Sequence, residues 1–525
     1  MKRTFVVSSI GAAGLCALLL VPMQGCTNLD ETPPSAISPG NFFHTEGEVL
    51  AALAGVYAQL RGTVDDYYNL NEISTDEMVV PTRGQDWYDN GTWLETHRQT
   101  WTASSPATLS FMNGAWNTAY AGVARANGLL DGVKNSTVPN QATMEAEARY
   151  LRAFYYYVLM DLFGGVPVAT TSEIMPRERV TRDSLFKFIE SELLAIRPAL
   201  PVKWDAGNNG RITKGAVDAL LANMYINAGV FTKEGAGAGG INPTGYNACT
   251  GVTVVGGTAC QAAKDRADSV LLSSAAYALA DSFPKPFRSD NGTSAENIFV
   301  IKFADEAGLG LNFVMRALHY SQFTPGPWNG FSATSQTYNA FDSLDRRRRV
   351  FLVGPQVNVE TGSPVKDRAG NPLVFTTTIA NVTNATEGEG SRIYKWPADP
   401  KHVAQDNGND FAWFRLAEMY FIKAEAELNG ATGTPTPLAL VKAVRARAFA
   451  TDTLSTLALA DLLRERTFEF AGEGKRRQDL IRFGKYTAAF EFKPSVTDAH
   501  LILMPIPQGQ IDANPLLQGH QNSGY

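Results

Sequence analysis

Residues 145–167 read EAEARYLRAFYYYVLMDLFGGVP. Spacings of three and four place Ala148, Leu151, Tyr155, Val158, Leu159 and Leu162 on one face, which predicts a helix. Glu145 stands four residues before Arg149, the favourable order for a helical ion pair. Gly164-Gly165 should end the helix, because glycine adopts positive φ at little cost, and Pro167 forbids its continuation. Phe154-Tyr155-Tyr156-Tyr157 point all round the axis. A helix aromatic on every side has to be covered on several sides, so other helices are expected to pack on it.

The same pattern recurs outward in both directions. Residues 45–60 carry Val49, Leu53, Val56 and Leu60 on one face, and Thr45 with Glu48 fits a reciprocal N-terminal cap. Further helices are predicted over 113–133, 181–197, 213–229, 412–429, 438–449 and 457–472, joined as hairpins. Between them, residues 290–400 carry β-like runs, ENIFVIKF, LVFTTTIANVT and SRIYKW, among Gly, Asn and Pro clusters. The fold class is therefore mainly α. Helical hairpins over about 41–230 and 410–525 form a frame, and about 231–409 is a long irregular insertion with short strands.

The chain has 525 residues and a formal charge of -6, which argues against nucleic acid as a partner. Its one basic run, Arg346–Arg349, is expected to be a solvated or ion-paired turn. Arg464, Glu465, Arg466, Glu469, Glu473, Arg476, Arg477 and Asp479 form a dense set of alternating charges, expected to hold neighbouring helices together.

Lys2-Arg3 followed by an apolar run is a secretory signal over residues 1–25; an uncleaved membrane anchor is the alternative. Gly25-Cys26 directly after it resembles a bacterial lipobox, with Cys26 lipidated as the first mature residue; an ordinary signal with a stray cysteine is the alternative. Cys249 and Cys260 bracket a Gly- and Thr-rich loop and are expected to form a disulfide, the alternative being two buried thiols.

Two stretches lack any period and mix aromatic with polar residues. Residues 76–105 hold Asp76, Arg83, Trp87, Tyr88, Trp93 and Trp101; residues 319–341 hold Trp328, Asn329 and Phe331. Flat indole faces beside amides, carboxylates and a guanidinium suit a sugar, whose ring stacks while its hydroxyls hydrogen-bond. The candidate ligand-binding set is Trp87, Trp93, Trp328, Asn329, Asp76 and Arg83. The competing reading makes each Trp a plug that fixes its loop to the helices.

Six histidines, none four residues from another, give no H-E-x-x-H, and neither G-x-S-x-G nor a P-loop occurs. Gly235, Gly237 and Gly240 match G-x-G-x-x-G but follow a predicted helix, not a strand. No cofactor or metal site is expected. A glycosidase pair could still come from Asp76, Glu77, Asp86 and Asp89.

AEARYLRAFYYYVLMDLFGGVPV resembles the central signature of the SusD/RagB family. The leader NLDETPPSAISPGNFF, RITKGAVDALLANMYINAG, FRLAEMYFIKAEAEL, RERTFEFAGEGKRRQDLIRFGKY and LILMPIPQGQIDANPLLQGHQNSGY extend the resemblance over nearly the whole mature chain. It implies tetratricopeptide-like hairpins and a non-catalytic lipoprotein anchored in the outer membrane and exposed at the cell surface. Such a protein captures an oligosaccharide, or in some members a peptide, beside a SusC-like TonB-dependent transporter.

Overall fold

The computed structural model describes residues 42–105 and 107–525. The signal segment, Cys26 and most of the leader lie outside the described residues. The helices that carry the frame are α1 (Glu46–Ala58), α2 (Asp66–Ile73), α3 (Thr92–Arg98), α4 (Leu109–Gly132), α5 (Gln141–Phe163), α6 (Arg182–Ile196), α7 (Lys214–Ile226), α8 (Ala259–Leu271), α9 (Leu416–Leu428), α10 (Pro437–Arg445), α11 (Leu459–Phe470) and α12 (Arg476–Arg482). The strands used below are β1 (Met78–Val79), β2 (Asn297–Ile301), β3 (Ser332–Ala333) and β4 (Phe411–Arg415).

α5 is the axis of the core, and its aromatic run is covered as its sequence requires. Each tyrosine sends its hydroxyl to a different neighbour. Tyr155 donates to the Val56 carbonyl of α1 at 2.8 Å, Tyr156 to the Ala169 carbonyl at 3.0 Å, and Tyr157 to Asn223 of α7 at 2.8 Å. Phe154 meets Phe299 of β2 and Trp413 of β4 edge-on. α4 crosses so closely that a Cβ on Gly122 would lie 2.3 Å from the Tyr155 ring. A buried phenol without a partner would be costly, so these bonds select one packing as much as they stabilise it.

The carbonyls at the end of α5 are satisfied by distant segments. Gly164 turns the chain with φ +77. Arg182 donates to the Met160 carbonyl at 3.0 Å, the Met504 amide to Leu162 at 2.8 Å, and Asn522 to Phe163 at 2.9 Å. The C-terminal segment is thus tied to the organising helix by the groups that a helix end leaves free.

Several expectations are corrected. Arg149 pairs with Glu192 of α6 at 2.7 Å, not with Glu145, because an interhelical carboxylate is available to both Arg149 and Arg152. Gly229 lies inside a short helical turn, Ala228–Phe231, and does not cap α7. α7 packs on α8, a helix within the stretch expected to be irregular. Residues 412–415, expected as helix, belong to β4, which pairs antiparallel with β2 and joins the insertion to the second helical half. A helix, α3, interrupts the first aperiodic loop.

Apart from Arg464, which is exposed and pairs with Asp461, the charged set is a largely buried network. Arg415 donates to Glu473 at 2.7 Å, Glu296 at 2.6 Å and Glu469 at 3.1 Å. Arg347 donates to Asp345 at 2.7 Å and Glu465 at 3.0 Å. Burial alone would raise the Glu469 carboxyl, but Arg447, Arg415 and Arg347 outweigh it and hold it at about 2. Nearby, Glu77 and Glu72 accept the amides of Gly472 and Gly474, pinning α2 and β1 to the turn between α11 and α12. Burial pushes both carboxyls up: Glu72 well above its usual value, with the Glu77 charge pushing the same way, and Glu77 to about 7, where Arg476, the Gly472 amide and a hydrogen bond with Glu72 oppose the burial.

Cys249 and Cys260 are joined by a disulfide with Cα atoms 5.0 Å apart, closing a two-stranded hairpin at the start of α8. Among the described residues no helix is long and apolar enough to cross a membrane.

Candidate functional site

The chain between β1 and α3 is a tight loop. Gly84, Trp87, Asp89, Asn90 and Gly91 all have positive φ. For Trp87, at φ +62, this costs about 1–2 kcal/mol, because its Cβ crowds the following carbonyl. Four contacts hold it there. Its Nε1 donates to the Trp328 carbonyl at 2.6 Å. Its ring meets Trp93 at 5.2 Å and Phe331 at 5.8 Å, both edge-on. It also lies flat on Gly330, where a Cβ would stand 2.4 Å from the indole. The strain is imposed where the first loop meets the second.

The six residues expected at the site divide between two roles. Trp87 and Trp328 are half-buried, 6.5 Å apart, and form a shared ledge. Trp93 is buried on α3, packs on Phe111 and Phe331, and donates to Asp89 at 2.7 Å, so it is a plug. Arg83 is buried and donates to the Asn329 carbonyl at 3.0 Å, Ser332 at 3.0 Å and the Glu389 carbonyl at 2.8 Å. Asn329 is fully buried; it donates to the Glu387 carbonyl at 3.1 Å and accepts from Arg392 at 2.8 Å. Burial without a carboxylate partner lowers Arg83 to about 10, and burial together with the Arg83 charge pushes Arg392 well below its usual value. Asp76 is not at the ledge: both its oxygens take the Arg476 guanidinium at 2.7 Å. Arg83 and Asn329 therefore brace the two loops from beneath, and Asp76 serves the helical frame.

Other residues fill the solvent side of the ledge. Tyr88 is 60% exposed. Tyr320 donates its hydroxyl to Asp86, and the Arg368 guanidinium lies 4.4 Å over the Tyr320 ring. Arg368 also donates to Asp86 at 3.0 Å and to Glu387 through both its side chain and its backbone. His319 Nε2 lies 2.9 Å from Glu387. Burial would raise the Glu387 carboxyl, but the Arg368 donors and His319 dominate and hold it at about 2. The result is a Trp87–Trp328 ledge, with exposed Tyr88 next to Trp87 in the chain and Tyr320 held beside it through Asp86, edged by an Asp86–Arg368–Glu387 chain.

The relatives share this frame. A family model described as "SusD family" matches residues 289–525, and one described as "Starch-binding associating with outer membrane" matches residues 28–226. The chain belongs to the SusD/RagB family. It is 25% identical to "Starch-binding protein SusD" of Bacteroides thetaiotaomicron, with all of both chains covered. It is 24% identical to "SusD-like protein P25" of Formosa agariphila, covering 95% of this chain and 96% of the relative. A solved structure of "Surface glycan-binding protein A from Bacteroides thetaiotaomicron in complex with laminarihexaose" superposes with a TM-score of 0.71 at 22% identity, covering 91% of this chain and 99% of that one.

For this SusD/RagB chain the ledge offers recognition groups more readily than catalytic ones. Glu387 carries no proton to donate at neutral pH, so it does not supply the raised acid that glycoside hydrolysis requires. Asp76 and Asp89 are engaged as described, and Glu77 is buried. Among the described residues, no group of three or more His, Cys, Asp or Glu is placed to hold a metal ion. Tyr320 stood in a stretch already rich in aromatics. Arg368 and Glu387 come from segments with no aromatic or periodic signal, and only the folded chain brings them to Asp86.

Proposed function

We propose that the protein is a non-catalytic binding protein that captures an oligosaccharide on the ledge of Trp87, Tyr88, Tyr320 and Trp328. The observation that carries this reading is the ledge itself: aromatic faces left partly open to solvent, beside Asp86 and Arg368, on loops braced by buried Arg83 and Asn329. Stacking covers the C–H faces of a sugar, while the carboxylate and guanidinium meet its hydroxyls. Two relatives support a glucan as the class, one named for starch and one solved with laminarihexaose. The loops sit on a rigid helical frame, where binding residues concentrate.

The same reading places the body at the outer membrane, tethered through lipid on Cys26, and delivering its ligand to a SusC-like TonB-dependent transporter. The signal-like N-terminus and the family membership support it. Calorimetric titration with laminarihexaose and maltohexaose, followed by analysis for new reducing ends, tests capture against turnover. Binding with unchanged sugar is expected. Release of shorter sugars would make the protein an enzyme.

A further inference from the structure

The Arg346–Val350 segment is a 3-10 helix of sequence RRRRV. Three residues per turn put positions i and i+3 on the same face. Arg347 and Val350 therefore face inward: Arg347 into the buried carboxylates Asp345, Glu465 and Glu469, and Val350 onto the apolar cluster of Phe341, Phe351 and Phe468. Arg346 and Arg349 face outward, with Arg348 between them. The run is thus neither wholly solvated nor wholly ion-paired. One arginine anchors it, and three are presented.

Those three line a cleft of about 460 Å³, together with Tyr338, Leu344 and Phe449. Among the described residues no carboxylate lies within ion-pair distance of Arg346, Arg348 or Arg349. The one acid lining the cleft, Asp345, is buried and committed to Arg347 at 2.7 Å. Arg348 lies 4.3 Å over the Tyr338 ring, and its Nε is buried with no hydrogen-bond partner. Buried Nε atoms of Arg152, Arg392, Arg447 and Arg477 also lack a partner, but the Arg348 Nε belongs to a side chain that lines an open cleft, where a ligand or solvent can meet it. The chain as a whole is acidic, so this cleft is a local reversal of sign.

We propose that the cleft binds a small polyanion whose charge is carried on sulfate or phosphate esters. Guanidinium forks approaching from three positions match the several acceptor directions of a tetrahedral oxyanion. The volume exceeds what one inorganic ion fills and falls within the range of small-molecule sites. Tyr338, Leu344 and Phe449 give the body of such a ligand an apolar wall. The site shares no residue with the aromatic ledge, so it stands whether or not the ledge binds glucan.

The test is calorimetric titration with sucrose octasulfate and with inositol hexakisphosphate, against sucrose as the neutral control. Wild type should bind at least one polyanion, more weakly as salt is raised, and should not bind sucrose. The Arg346→Gln/Arg348→Gln/Arg349→Gln variant, which keeps Arg347, should lose at least tenfold in affinity at an unchanged melting temperature. Should that variant melt early, Arg349→Gln alone, at an exposed position, should still lose severalfold. Gln at exposed Lys134, Lys285 and Lys401 removes the same charge and should leave affinity intact. Whichever probe binds more tightly assigns the ester as sulfate or phosphate. No binding of either polyanion by wild type, undiminished affinity in the arginine variants, or equal loss in the lysine variant would each overturn the proposal.

Discussion

Glu77→Gln should make the protein more stable at pH 8 and change little at pH 4.5. Glu77 is buried against Glu72, its Oε1 takes the Gly472 amide at 2.6 Å, and its carboxyl is raised from 4.5 to about 7, with burial the main cause. A carboxyl whose pKa is raised on folding binds its proton more tightly in the native state. Below pH 4.5 both states are protonated, and its stabilising share is complete. Between 4.5 and about 7 the unfolded chain releases the proton first, so stability falls as pH rises. Above that window the native state carries the full penalty of a buried charge, on the order of 3 kcal/mol at roughly 1.4 kcal/mol per pKa unit. Glutamine keeps the acceptor for Gly472 and cannot ionise, so it removes that loss. Asp66, raised to about 7 by burial and by Asp65, titrates in the same window, but it does so in both proteins and cancels in the difference. Thermal melts of both proteins at pH 5, 6, 7 and 8 read the effect. The midpoint of Glu77→Gln relative to wild type should climb by a few degrees across the series. A constant gap, or a variant less stable at pH 8, would refute the raised carboxyl of buried Glu77.

Three further outcomes follow from the same packing. Gly330→Ala places a Cβ 2.4 Å from the Trp87 indole and should displace it, lowering glycan affinity about tenfold, the effect of losing roughly 1.4 kcal/mol, in a protein that still folds; titration and a melting curve read both. Arg347→Met leaves Asp345, Glu465 and Glu469 buried with less counter-charge and should cost about 3–5 kcal/mol, seen as a lowered melting temperature or loss of soluble protein. Cys26→Ala should move the protein from the membrane fraction to the soluble fraction on cell fractionation; a variant that stays membrane-bound would place the anchor elsewhere.

The helical frame was legible because its signals are periodic. The α5 stripe, the Thr45–Glu48 cap and the Thr181 cap all appear where the spacing places them. α8 was missed because its apolar face is mostly alanine, at 259, 262, 263 and 267, and a Gly-rich hairpin precedes it. Residues 412–415 of β4 were misread because FAWFR runs without a turn into a strong helix, and pairing with β2, more than a hundred residues earlier, decides their state. At the candidate site, sequence located the two loops and their tryptophans. It could not say which side of a loop a residue faces. Arg83 and Asn329 are polar and sit in the right loops, yet their partners are Ser332, Arg392 and backbone carbonyls beneath the ledge. Arg368 and Glu387 meet Asp86 only through the tertiary fold, and no local pattern marks them.

The most direct test of glycan capture on the ledge is calorimetric titration of Tyr88→Ala with the oligosaccharide that wild type binds best. Tyr88 is 60% exposed, so removing it should leave the melting temperature almost unchanged. If its ring stacks on a sugar, affinity should fall roughly thirtyfold, the effect of losing about 2 kcal/mol at a binding hot spot. Wild-type affinity in a Tyr88→Ala protein of wild-type stability would contradict the ledge as the binding site.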